Sequence, residues 1–153
     1  MGIVADSREA TETALRQAAS KADLIISSGG VSVGEEDHVK AVIEQRGFLH
    51  LWKLAIKPGK PFAYGEFNST PVLGLPGNPS AVLVTFLMLA RPYLLKMQGL
   101  KQCQDTPAIV EADFDLQKKS IRRRYLHGRL KYPVLQSGAD LTEQELALPR
   151  VQI

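Results

Sequence analysis

Leu24-Ile25-Ile26 is an apolar run with no polar residue alternating through it, and it opens straight into Ser27-Ser28-Gly29-Gly30. A half-buried strand alternates apolar and polar side chains, because successive residues face opposite sides of a sheet. A run without that alternation predicts a strand, 23–27, covered on both faces. Such a strand needs helices on both sides of its sheet, and the neighbouring segments offer them. Ser7 to Ala19 has the periodicity of a helix, with Ala14, Leu15, Ala18 and Ala19 on one side. Asp6 is placed to cap it, with Glu9 three residues on as in a capping box. Glu36 to Arg46 is a second helix, carrying Val39, Val42 and Ile43 and ending at Gly47 as its C-cap.

The next segments continue the pattern. Phe48 to Ile56 reads as a strand, broken by Pro58-Gly59; Pro61 to Tyr64 begins another, "GEFNST" is a turn, and Val72 to Leu75 is a further short strand, the last two forming a hairpin-like pair. A long apolar helix runs from Pro79 to Met97, with Pro92 set to kink or split it and Gly99 to close it. Strands alternating with helices predict an α/β fold with a largely parallel sheet and helices on its faces. The expected division is an α/β domain over residues 1–99, a polar linker over 100–107 and the start of a small β domain over 108–153. Period-two alternation in "AIVEADFDL" and "RRRYLHGRLKYPVL" marks the last part. An α/β sheet needs more strands than these to cover its helices, and the β portion stops after two or three. The expectation is a piece of a longer protein.

Composition narrows the function class. Of 153 residues, 44% are hydrophobic and 23% charged, the balance of a soluble globular chain. A formal net charge of +3 is too small to argue nucleic-acid binding by itself. Arg122, Arg123, Arg124, Arg129 and Lys131 form a basic strand pair, either a solvated β face or an anion-binding surface. The lone Cys103 makes no internal disulfide, and no Cys/His cluster has zinc spacing. The N-terminus lacks a basic segment followed by an apolar core, so it is not read as a signal peptide. The most apolar stretch, Ala81 to Ala90, is about half the roughly 20 residues a bilayer span needs. The expectation is a cytoplasmic protein that engages neither membrane nor nucleic acid.

In open α/β sheets ligands bind beyond the carboxyl ends of the strands. The segments that reach such ends are Asp6, "SSGGVSVGEED", "KLAIKPGKP" and "LPGNPS". Gly29, Gly30 and Gly34 allow close backbone approach, and successive amides ahead of a helix suit a phosphate. The spacing matches neither standard nucleotide fingerprint; a permissive strand-to-helix connection is the plainer reading. Asp37 either complements a helix dipole or, beside a phosphate, holds a divalent ion. Asp6 reads first as a helix cap. Lys53, Ala55 and Lys57 share one face of their strand, opposite Trp52, Leu54 and Ile56. Lysines at a sheet edge also discourage aggregation, which accounts for Lys53. It accounts less well for "KPGKP", where prolines and a glycine stiffen the backbone around Lys57 and Lys60. Asn78 or Ser80 caps the following helix, with Pro79 near its first position. No Ser/His/Asp or Cys/His set competes; the histidines are scattered, and His50 and His127 read as structural or exposed.

"SSGGVSVGEED", "WKLAIKPGKPFAYG" and "GLPGNPSAV", in that order, resemble the molybdopterin molybdenumtransferase family, the MoeA/gephyrin type. The resemblance covers about residues 1–99, and "RRRYLHGRL" is similar to the start of that family's C-terminal β domain. It implies a three-layer molybdopterin-binding α/β domain, here without its first strand, then part of a small β domain, in a homodimer. The implied reaction inserts molybdate into adenylylated molybdopterin with Mg2+ and releases AMP. Asp6, Asp37, Lys53 and Lys57 match the family's active-site acids and lysines, with Asp37 as the magnesium neighbour, so that Asp6 becomes cap and site residue together. Substrate binding is implied for Ser28, Gly29, Gly30, Ser32 and Gly34 in the first loop. It is implied also for Lys60 and for Pro76, Gly77, Asn78, Pro79 and Ser80. The pathway's adenylyltransferase is an implied partner. Without the family's other domains the chain alone is expected to be inactive. The alternative is a non-catalytic phosphate-binding or scaffold module of the same fold; a third reading, nucleic-acid binding through the arginine strand, requires steep salt dependence.

Overall fold

A computed structural model describes residues 2–31, 37–104, 106, 110–115, 120–128 and 151–152. The chain begins with helix α1 (Arg8–Ala19). Its cap is Ser7, in extended backbone, whose hydroxyl accepts the Ala10 amide at 3.3 Å. This corrects the expectation for Asp6, which lies one residue too early to reach the first-turn amides. Strand β1 (Ile25–Ser28) follows, then helix α2 (His38–Arg46), strand β2 (Gly47–Trp52) and a two-residue strand β3 (Ile56–Lys57). The expected single strand over 48–56 is therefore interrupted, and the break falls where Lys53 takes a φ of 72°. Strands β4 (Ala63–Phe67) and β5 (Thr70–Leu75) come next.

The main sheet has the order β1-β5-β4-β2. β1 pairs with β5 in parallel; β4 is antiparallel to both β5 and β2. The sheet is thus mixed rather than mostly parallel, with β4 alone running against the other three. The reason is the connection. Asn68 and Ser69, at φ 50° and 63°, join β4 to β5 in a two-residue turn, and so short a link can only reverse the chain.

Both faces of this sheet are covered. On one, Leu15 and Ala18 of α1 and Val42 and Ile43 of α2 pack with Ile25, Phe67 and Val72. Glu12 ties the two helices by pairing with Arg16 at 2.7 Å and with Arg46 at 3.4 Å. On the other, Phe62, Leu73, Leu75 and Ala90 form the core, with Val82, Phe86 and Tyr93 against it. That second cover is one continuous helix: α3 (Pro79–Thr85), a π-helical turn (Phe86–Ala90) and α4 (Arg91–Met97). Pro92 does not split it. The widened turn, in which the Arg91 amide reaches back to the Phe86 carbonyl, lies just ahead of the ring and makes room for it. At 19 residues, Pro79–Met97 is long and apolar enough to cross a bilayer, unlike the shorter run expected from the sequence. Ala81, Val84, Thr85 and Ala90 are buried in the protein's own core.

A small second sheet has the order β3-β6-β7, with β6 (Arg123–Leu126) parallel to β3 and β7 (Val151–Gln152) antiparallel to β6. Of the strand expected over 108–116, residues 110–115 are described and are not strand. Arg129 and Lys131 lie outside the described residues.

Candidate functional site

β1 and β5 end level with each other, Ser28 opposite Leu75. Their chains continue side by side. The Gly29 amide donates to the Leu75 carbonyl at 3.0 Å, and the Ser28 hydroxyl donates to the Pro76 carbonyl at 3.1 Å. A methyl group added at Gly77 would stand 3.8 Å from the Gly29 Cα, its nearest neighbour. The parallel pair therefore delivers two loops to one place, as the carboxyl ends of such strands do. Gly29 and Gly30 have φ of 88° and 67°, a conformation that side-chain-bearing residues enter at a cost. Gly30 has a second constraint: a Cβ there would come within 2.7 Å of Val39 in α2. The Gly30 carbonyl accepts the Lys40 amide at 3.4 Å, which joins the loop to that helix. Val31 then turns inward and is buried over Gly74.

The "LPGNPS" loop is organised by its helix. Asn78 accepts the Ala81 amide at 3.2 Å, and Pro79 follows in the first turn. That settles which residue caps α3. Gly77, Asn78, Pro79 and Ser80 are all exposed, so this loop presents its polar groups outward.

The lysine segment is a folded loop rather than a strand. The Lys53 amide donates to the Phe62 carbonyl at 3.1 Å, and the Leu54 amide to the Lys60 carbonyl at 2.8 Å. Side-chain burial still alternates as expected: Lys53, Ala55 and Lys57 are exposed, while Trp52, Leu54 and Ile56 are partly buried. Trp52 links this segment to the glycine loop, since its indole N–H donates to the Val31 carbonyl at 3.4 Å. The Lys53 ammonium lies 3.8 Å from the centre of the same indole, and that of Lys40 lies 4.0 Å from it. Lys57 stands further along, on β3, paired in register with Arg124 of the second sheet.

The acids gather at the start of the two N-terminal helices. Asp37 occupies the capping position of α2, one residue before the helix rather than in its first turn, and its side chain does not cap it. Asp6 approaches His38 at 3.7 Å, which brings it beside the start of α2. Ser32 and Gly34, with Glu35 and Glu36, lie outside the described residues.

Among the expected residues the structure thus brings together Ser28, Gly29, Gly30, Pro76 and Gly77, with Asn78 behind them. It joins Lys53 to the glycine loop through Trp52, and Asp6 to the Asp37 region through His38. Lys57 and Lys60 follow Lys53 along the same segment, Lys57 on β3. Lys40 and His38 carry no site signal in the sequence, and neither does Trp52. Trp52 was read as a packing residue, and no spacing in the sequence signals that Lys40 of α2 meets its ring.

A sheet covered on both faces, with two glycine-bearing loops side by side beyond its parallel strands and Lys53 tied to one of them through Trp52, defines an α/β domain whose loops gather at the carboxyl ends of its strands, where open α/β sheets bind ligands. The family model described as "Probable molybdopterin binding domain" matches residues 1–96. A molybdopterin molybdenumtransferase of Haemophilus influenzae is 50% identical over 107 residues, covering 70% of this chain and 26% of that protein. One from Nostoc is 37% identical over 134 residues, covering 84% of this chain and 31% of its own length. The crystal structure of the molybdopterin biosynthesis moea protein from Pyrococcus horikosii superposes with a TM-score of 0.65 at 29% identity, over 86% of this chain and 32% of that one. The chain belongs to the molybdopterin-binding domain family of the molybdopterin molybdenumtransferases. It spans about a quarter to a third of the length of these relatives.

Proposed function

We propose that this chain supplies the phosphate-holding part of a site that inserts molybdate into adenylylated molybdopterin and releases AMP. The observation that carries the reading is the pair of loops, Gly29-Gly30 and Pro76-Gly77, held against each other at the ends of β1 and β5. Gly30 and Gly77, both exposed, would admit the phosphates of the pterin nucleotide at close range. Lys53, tied to the glycine loop through Trp52, would act with Lys57 and Lys60 of the same segment as fixed cations that stabilise the charge developing on departing AMP. Asn78 orients its loop by capping α3, and Asp6 and Asp37 offer carboxylates at the start of α1 and α2.

Magnesium suits that donor set. Among the described residues no three acids, histidines or cysteines converge as a metal cage. Mg2+ is commonly held instead by one or two carboxylates together with substrate phosphates. Asp37, whose side chain is not used as a cap, would hold it, with Asp6 alongside. The bound ion would supply positive charge to the phosphoanhydride oxygens.

The same reading takes residues 1–99 as the pterin-binding unit and 108–153 as a second, smaller one. It has the protein working as a homodimer in the cytoplasm, receiving its substrate from an adenylyltransferase. The test is calorimetric titration of the chain with adenylylated molybdopterin, with and without magnesium, beside Asp37→Ala and Lys57→Ala. Saturable binding that strengthens with magnesium and weakens at least tenfold in both variants is expected. Wild-type affinity in both variants would sink the assignment.

A further inference from the structure

Neighbouring residues of a strand point to opposite faces, so Lys53 should carry its ammonium away from Trp52. It does not. The left-handed turn at Lys53, φ 72°, folds the side chain back until its ammonium lies 3.8 Å from the centre of the Trp52 ring. The Lys40 ammonium reaches the same ring from α2, at 4.0 Å. A lysine at positive φ is strained, and such strain persists only where the surroundings enforce it. Here the hydrogen bond that the Lys53 amide donates to the Phe62 carbonyl holds the backbone, and the one that the indole N–H donates to the Val31 carbonyl holds the ring. The result is costly in a second way, because one aromatic ring gathers two like charges. Glu44 offsets Lys40, at 3.1 Å. Among the described residues Lys53 makes no ion pair.

We propose that Lys40, held with Lys53 at the ring of Trp52, joins Lys53 in binding the phosphates of the substrate, with Trp52 as the residue that positions both lysines. The inference rests on the reading above, that the glycine loop receives a phosphorylated ligand, and it adds to that site a cation from α2 and the indole that aims both lysines. Cation–π contact keeps each ammonium over the ring without satisfying its hydrogen-bond donors. The indole N–H fixes the ring to the loop that carries Gly29 and Gly30. Phosphate charge at these ammoniums would offset their repulsion and draw Lys40 away from Glu44.

Trp52 is the single tryptophan of the chain, so its fluorescence reports this site alone. The experiment titrates the full chain with inorganic pyrophosphate and then with adenylylated molybdopterin, following Trp52 emission. Calorimetry serves the variants that lack the indole. A saturable emission change is expected with pyrophosphate. Lys40→Met should weaken binding about tenfold, as loss of one charge-assisted contact does, with the thermal midpoint unchanged. Glu44→Gln should tighten it. Trp52→Phe, which keeps a ring, should weaken binding less than Trp52→Leu. Wild-type affinity in Lys40→Met, or equal losses in Trp52→Phe and Trp52→Leu that track lost thermal stability, would overturn the proposal; so would no pyrophosphate binding at all. If pyrophosphate binds through both lysines and adenylylated molybdopterin does not bind, the cation pair stands and the substrate reading falls. If the pterin nucleotide binds and Lys40→Met leaves its Kd unchanged, the pair falls and the substrate reading stands.

Discussion

Gly29-Gly30 and Asn68-Ser69 are the two places where successive described residues take positive φ, at 88° and 67° in the first and 50° and 63° in the second. The local backbone is similar and the outcome is opposite. Asn68-Ser69 closes a hairpin between antiparallel strands, with Phe67 opposite Thr70. The turn is spent on joining two strands, and nothing beyond them is left open. Gly29-Gly30 leaves a parallel strand, whose partner β5 ends beside it and departs in its own loop. Parallel strands cannot be joined by a short turn, so their ends release two loops in one place. The direction of the neighbouring strand, more than the left-handed backbone, decides which turn closes on itself and which leaves its loop open.

If this is right, the hairpin end should be held by burial and the loop end by backbone fit. The largest effect is expected at Phe67, the last residue of β4 and almost wholly buried. Phe67→Ala should destabilise the protein by about 3–5 kcal/mol, read by urea denaturation. A cost below about 1 kcal/mol would mean that the hairpin does not anchor the core. Gly30→Ala comes next. The added methyl meets Val39 at 2.7 Å in a backbone of φ 67°, and strain with overpacking should cost about 2–4 kcal/mol. Val39→Ala in the same chain should restore part of that loss, by removing the clash while leaving the strain.

Gly77→Ala separates fit from function. Its methyl meets only the Gly29 Cα, at an ordinary 3.8 Å, so stability should stay within about 0.5 kcal/mol. It would nonetheless occupy the space between the two loops, and affinity for adenylylated molybdopterin should fall about tenfold, or about 1.4 kcal/mol. Unchanged affinity in calorimetry would show that the phosphate does not enter there.

Much of this arrangement is legible from residue type alone. Glycines mark the first loop because few other residues adopt its backbone, and "PGNPS" announces a helix start that Asn78 and Pro79 then make. The alternating burial of Lys53 to Lys57 follows from side-chain chemistry even though the strand breaks. What escaped were features decided by a neighbour. Ser7 and Asp6 are both good caps, and one residue of register settles the choice. "GEFNST" reads as the turn of a hairpin-like pair, but only the pairing of β4 with β2 as well as β5 shows that one reversed strand sits inside the sheet and makes it mixed. Lys53 carries no glycine-like signal for its positive φ, because Phe62 and the Trp52 ring impose it from outside. Lys40 meets that ring only through the placement of α2.

The smallest effect is expected at Ser69. Its φ of 63° places a side-chain-bearing residue in the left-handed region, where asparagine is tolerated but serine is less at home. Ser69→Gly would create Asn-Gly, the pair such two-residue turns favour. It should relieve strain but also loosen the unfolded chain, and these terms oppose each other. The net gain should be about 0.5–1 kcal/mol, since the native conformation is one glycine enters freely. Ligand affinity should not change, because the turn lies between β4 and β5 at the end of the sheet away from the paired loops. Loss of stability would show that Ser69 contributes a contact worth more than its strain. Altered affinity would show instead that the two ends of β5 are coupled, and the contrast between a turn that closes and a turn that opens would then fail.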